Sequence, residues 1–129
     1  MMSSQILSYV RPFKAILAID FDLTICISKY PGLGEERSNA GFYIRMLVEA
    51  GYGIVINTCR EGILIGDAIK WLHQYNIPYH YVNCNFPHLI EEFGADCRKI
   101  SANLYIDDKC LTGLPEWDEI YRLVNEKFK

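Results

Sequence analysis

The chain has 129 residues, half of them hydrophobic and 13% aromatic, which suffices for one domain with a real core and is too little for two. That composition excludes disorder, collagen and coiled coil, and a formal net charge of −3 leaves no basic footprint for nucleic acid. The cysteines, Cys26, Cys59, Cys84, Cys97 and Cys110, form no CxxC pair and suit the reduced thiols of a cytoplasmic protein better than a disulfide framework or zinc knuckle. Arg11, Pro12 and Lys14 interrupt the N-terminal stretch, so it reads as neither a secretion signal nor a membrane span, and a soluble protein is expected.

In chain order, Ala15 to Ile19 is a short apolar run that ends abruptly at Asp20, the pattern of a strand buried on both faces in a parallel sheet. Residues 24–38 contain Pro31, Gly32 and Gly34 among polar groups and read as an excursion, a flap. Ser38 is a plausible N-cap for a helix carrying Phe42, Ile44, Met46, Leu47 and Val48, which stops at Gly51. Gly53 to Asn57 repeats the buried-strand pattern and ends at Thr58, Cys59 and Arg60. Ile65, Ala68, Ile69 and Leu72 follow at helical spacing up to Asn76 and Pro78.

Tyr79 to Val82 is a weaker third strand, and Leu89, Ile90 and Phe93 belong to a short helix ending at Gly94. Asn103 to Ile106 is a fourth strand ending at Asp107 and Asp108, and Pro115 to Phe128 is a last helix opened by its proline. His80, Cys84 and His88 recur at four-residue intervals but fall in strand and loop, so they are read as incidental and not as a zinc site. Strands alternating with helices give an α/β fold, a Rossmann-like three-layer αβα sandwich around a central parallel sheet. Ligands of such sheets bind at the carboxyl ends of the strands, where every polar cluster of this sequence falls.

Asp20 and Asp22 lie two residues apart at a strand end, so in extended chain both face the same way. Two carboxylates in one site call for a divalent cation, and oxygen ligands without neighbouring His or Cys favour Mg²⁺. An aspartate is also a nucleophile toward phosphorus, and a second carboxylic acid can protonate the leaving group. A phosphoryl group needs a hydroxyl donor and a fixed cation as well, and Thr58 and Lys99 are the candidates. Asp107 has room to complete a magnesium shell.

The ordered set Asp20-Phe-Asp22-Leu-Thr24, Asn57-Thr58-Cys59-Arg60, Lys99 and Tyr105-Ile-Asp107-Asp108 resembles the four motifs of the haloacid dehalogenase superfamily. The resemblance spans residues from about 15 to 110. It implies Asp20 as nucleophile and metal ligand, Asp22 as general acid/base with its backbone carbonyl on the metal, and Asp107 as a further ligand. Thr58 and Lys99 would hold phosphate, with Arg98 the rival of Lys99. Asp108 would touch the metal directly, act through water, or orient its neighbours, and Arg60 would line the substrate entrance.

Neither the flap nor residues 59–98 leave room for the cap domain usual in that superfamily, so residues 1–129 are expected to form one capless catalytic domain. An uncovered site suits a bulky phosphorylated substrate, nucleic acid entering only as a phosphorylated end, or cover by a second copy in a homo-oligomer. The function expected is a Mg²⁺-dependent phosphomonoester hydrolase working through an aspartyl phosphate. The alternatives are a phosphotransferase using the same intermediate, a non-catalytic phosphate- and Mg²⁺-binding module, and a receiver-like signalling domain. The last is disfavoured because the acidic pair comes last in the chain.

Overall fold

The computed structural model describes residues 13–129; the expectation of no signal or span in the N-terminal stretch falls mostly on residues 1–12, outside the described residues. A parallel sheet is built from β1 (Ile16–Asp20), β4 (Gly53–Asn57), β5 (Tyr81–Val82) and β6 (Leu104–Ile106), in the order β5-β4-β1-β6. The helices are α1 (Ala40–Glu49), α2 (Ile63–Gln74), α3 (Pro87–Phe93) and α4 (Trp117–Lys127). This is the expected α/β, Rossmann-like sandwich. No helix among the described residues is long and apolar enough to cross a membrane.

The continuous apolar runs of β1 and β4 follow from burial on both faces. Leu17 and Ile19 point into one core with α1, α2 and α4, while Ile16 and Ala18 point into a smaller one with Phe86, Leu89 and Ile100. The layers are therefore unequal: three helices cover one face, and α3 with flanking loop residues covers the other.

The outer strands are shorter than the sequence suggests, for a common reason. His80 Nδ1 accepts the Ile54 N–H at 3.0 Å and Asn103 Oδ1 accepts the Ile16 N–H at 2.7 Å, so side chains replace ladder bonds where β5 and β6 would have begun. His80 is thereby occupied as a sheet partner, and burial lowers its pKa.

The flap is better ordered than expected, because β2 (Cys26–Ile27) and β3 (Glu35–Glu36) pair as a small antiparallel hairpin. Gly34 is obligatory there: a Cβ would lie 1.7 Å from the Ile27 carbonyl oxygen. The predicted Ser38 cap is replaced. Helix α1 starts after Asn39, which is left-handed at φ 62 and makes no side-chain cap bond; Glu36 Oε2 accepts the Gly41 N–H at 2.6 Å instead. Helix α2 starts after Gly62, and α4 after Glu116, two residues later than a start at Pro115. Acidic Asp118 and Glu119 in its first turn and Lys127 in its last complement the helix dipole of α4.

Candidate functional site at the strand tips

The chain winds from β1 out to β4 and β5 and then returns across β1 to form β6, so the winding reverses between β1 and β6, the place where such sheets bind ligands. Asp20 ends β1, and Ile19 pairs with Ile106, the last residue of β6. This register sets Asp107 and Asp108 beside Asp20, and one carboxylate oxygen from each of the three lies within 4.8 Å of the others. Thr24 ties the two strand tips together. Its hydroxyl donates to Asp20 Oδ2 at 3.1 Å and accepts the Asp108 N–H at 2.9 Å. The threonine is fully buried, and its carbonyl accepts the Trp117 indole N–H at 2.9 Å.

Burial, a hydrogen bond that the protonated Asp20 carboxyl donates to Asp108, and the charges of Asp107 and Asp108 push the Asp20 carboxyl up to about 8, opposed by the Thr24 hydroxyl. No cation among the described residues contributes to that balance. Three crowded oxygens with an excess of negative charge are the chemistry of a hard divalent-cation site, and Asp20, Asp107 and Asp108 are the side chains that could hold the ion. Asp108 thus stands directly in the oxygen cluster. The Asp22 carboxylate stands outside it, so any contribution of Asp22 to an ion is left to its backbone carbonyl.

Arg60 requires a correction. Expected at the substrate entrance, it is completely buried. Its guanidinium grips Asp22 in a fork, Nη2 to Oδ1 at 2.7 Å and Nε to Oδ2 at 3.0 Å. Its remaining donors reach the flap carbonyls of Pro31 at 3.0 Å and Gly32 at 3.3 Å, and the rings of Phe21 and Tyr30 lie against it. Burial alone pushes the Asp22 carboxyl up, but hydrogen bonds from Arg60 and Ser28 and the Arg60 charge outweigh it and hold the group below its ordinary range. An arginine after a strand reads equally as exposed or buried from sequence; the apolar ring partners supplied by Phe21 and Tyr30 were the available signal.

Thr58 follows β4 on the same edge as Asp20. Its hydroxyl accepts the Arg60 N–H at 3.1 Å, which leaves the hydroxyl proton to be donated outward. Asn83, beyond β5, brackets its peptide: the Thr58 N–H donates to Oδ1 and Nδ2 donates to the Thr58 carbonyl, both at 2.8 Å. Sequence reasoning missed Asn83, although an Asn just past an apolar run is a natural occupant of the left-handed conformation found there, φ 54.

Lys99 is not brought to the cluster. It is exposed, with its ammonium 5.2 Å from the centre of the Tyr105 ring, and the neighbouring Arg98 is exposed too. The loop carrying both is anchored by buried Asn85, whose side chain donates to Asp96 Oδ1 at 2.8 Å and to the Cys97 carbonyl at 3.1 Å and accepts the Ser101 N–H at 2.6 Å.

Fold and site together define a Rossmann-like α/β protein with a three-aspartate cluster at the point where its sheet reverses winding. The chain is similar to the solved structure of a conserved protein from Bacteroides thetaiotaomicron, with 33% identity and a TM-score of 0.80 over 89% of this chain and 93% of that one, and it belongs to the same family. No family model and no curated protein matches the chain.

Proposed function

We propose that the chain is a Mg²⁺-dependent phosphomonoester hydrolase of the haloacid dehalogenase superfamily, acting through an aspartyl phosphate on Asp20. The observation that carries this reading is the meeting of Asp20, Asp107 and Asp108 from two strand tips, with oxygens within 4.8 Å, where the four sequence motifs require a magnesium site. A bound Mg²⁺ would neutralise the cluster and draw charge from the phosphoryl oxygens.

Asp20 attacks phosphorus, and the bond from phosphorus to the leaving oxygen breaks. Asp22 gives that oxygen a proton, then takes one from the water that hydrolyses the aspartyl phosphate and frees Asp20. The Arg60 fork holds Asp22 ionised, so before the acid step Asp22 must leave Arg60 and take up a proton from solvent, which it then passes to the leaving oxygen. Thr58 donates its free hydroxyl proton to a phosphoryl oxygen, and Lys99 moves from Tyr105 to supply the fixed cation. The free thiols of all five cysteines support a reducing, cytoplasmic setting.

Phosphate release from a panel of phosphomonoesters, measured with Mg²⁺, with chelator and with Asp20→Asn, tests the reading. Release that requires both metal and Asp20 is expected, and equal release by Asp20→Asn refutes the mechanism. The Arg60–Asp22 pair favours one second reading, a site that binds cation and phosphate without turnover; Mg²⁺-dependent phosphate binding with no release from any ester would select it. Formation of a new phosphoester when an alcohol acceptor is added would select the phosphotransferase.

A further inference from the structure

A groove of about 530 Å³ runs between β6 and α4 and is closed by the loop that follows Asp108. Its walls are mostly apolar, formed by Leu104, Ile106, Leu114, Leu123 and Val124, and its charged groups are Asp107 and, in the last turn of α4, Glu126 and Lys127. The volume falls in the range of about 300–1,000 Å³ typical of small-molecule sites. Because β6 is the edge of the sheet among the described residues, none of their strands engages its outer backbone groups, which add a few polar points to an apolar wall.

Asp107 belongs both to this groove and to the three-aspartate cluster. The groove therefore begins where the cluster ends, and a phosphate at the cluster has an apolar trough beside it for the rest of its molecule. A polyol laid there would strand its hydroxyls against leucine and valine side chains, a cost that an apolar ring avoids. Leu111, fully exposed on the closing loop, and Leu123, 43% exposed on the rim, extend the apolar surface outward.

Resting on the phosphatase reading, we propose that this groove is the subsite for the organic body of the substrate, and that the body is an aromatic or similarly ring-sized apolar group. The groove thus selects aryl phosphomonoesters over sugar and glycerol phosphates.

The test uses the full chain and two probes. Turnover of 1-naphthyl phosphate is compared with that of glycerol 2-phosphate in the presence of Mg²⁺, and binding of 1-naphthol, which carries no phosphate, is followed by its fluorescence in the presence of chelator. The kcat/KM for the naphthyl ester should exceed that for the glycerol ester by at least about tenfold. Leu123→Glu, which puts a charge on the rim, and Thr112→Trp, which fills the groove from an exposed loop, should each reduce that ratio to what the better naphtholate leaving group alone supplies, and weaken naphthol binding by about tenfold. Naphthol bound by the wild type and lost in both variants, with no ester hydrolysed, would uphold the groove and remove the phosphatase reading. Turnover without aryl preference, or naphthol binding unchanged in both variants, would overturn the groove proposal and leave that reading standing. A wild-type dimer dissociated by Leu123→Glu would also overturn it, by giving the groove to a second copy.

Discussion

The carboxamide of Asn83 closes a two-bond ring with the backbone of Thr58, each bond 2.8 Å long, so the tip of β4 is positioned by a residue from the neighbouring strand. Since Asn83 is left-handed at φ 54, Asn83→Gly removes the carboxamide without adding backbone strain. This variant should lose about 1–2 kcal/mol of stability in denaturant titration. If the proposed phosphatase reading holds, it should also lower kcat for phosphate release by roughly tenfold or more, because the hydroxyl assigned to the phosphate is released from its frame. Asn83→Asp keeps the acceptor for the Thr58 N–H and should fall between the two.

Arg60→Met should cost about 3 kcal/mol or more in urea unfolding, because it leaves the Asp22 carboxylate without its partner and two flap carbonyls without donors. The double variant Arg60→Met/Asp22→Asn should recover part of that loss. Strict additivity of the two single changes would show that the pair is not coupled.

Thr24→Val preserves shape but deletes the hydroxyl shared by Asp20 and the Asp108 N–H. The orphaned donor and acceptor should cost about 1–3 kcal/mol and weaken Mg²⁺ binding, measured calorimetrically, by about 10- to 100-fold. Thr24→Ser should retain most of both.

The metal-free protein should become less stable as pH rises. The Asp20 carboxyl stands at about 8 against an ordinary 3.8, chiefly because of burial and its acidic neighbours. Folding therefore favours its protonated form, and that advantage is complete below about pH 4 and disappears as pH rises through about 8. With chelator present, Tm should fall over this window. Mg²⁺ should restore it most strongly at the alkaline end, and Asp20→Asn should show a smaller pH-dependent fall. An unchanged Tm profile in Asp20→Asn would contradict this account.

Much of the architecture was legible because burial leaves a direct mark on residue choice. The runs 16–20 and 53–57 could only be interior strands, and their abrupt polar ends located Asp20 and Thr58. Asp107 and Asp108 were legible by the same logic. Less legible were features made by side chains reaching across the chain. Asn103 and His80 shorten strands by taking backbone donors, Glu36 caps a helix that it precedes by several residues, and Arg60 is hidden because its partners Asp22, Pro31 and Gly32 are remote in sequence. Lys99 shows the opposite limit: motif order pointed to it, with Arg98 as its rival, but motif order carries no information about side-chain direction, and here the ammonium lies over Tyr105.

The flap is fastened along its length: Arg60 holds the Pro31 and Gly32 carbonyls, Trp71 holds the Gly34 carbonyl at 2.9 Å, and Glu36 holds the start of α1. A segment pinned to two helices and a strand tip behaves as masonry and not as a door. Selectivity by such a wall comes from its fixed outline, so new preferences would arise by repainting exposed faces such as Leu33 or Tyr30, while lengthening the segment would first require these anchors to be rebuilt.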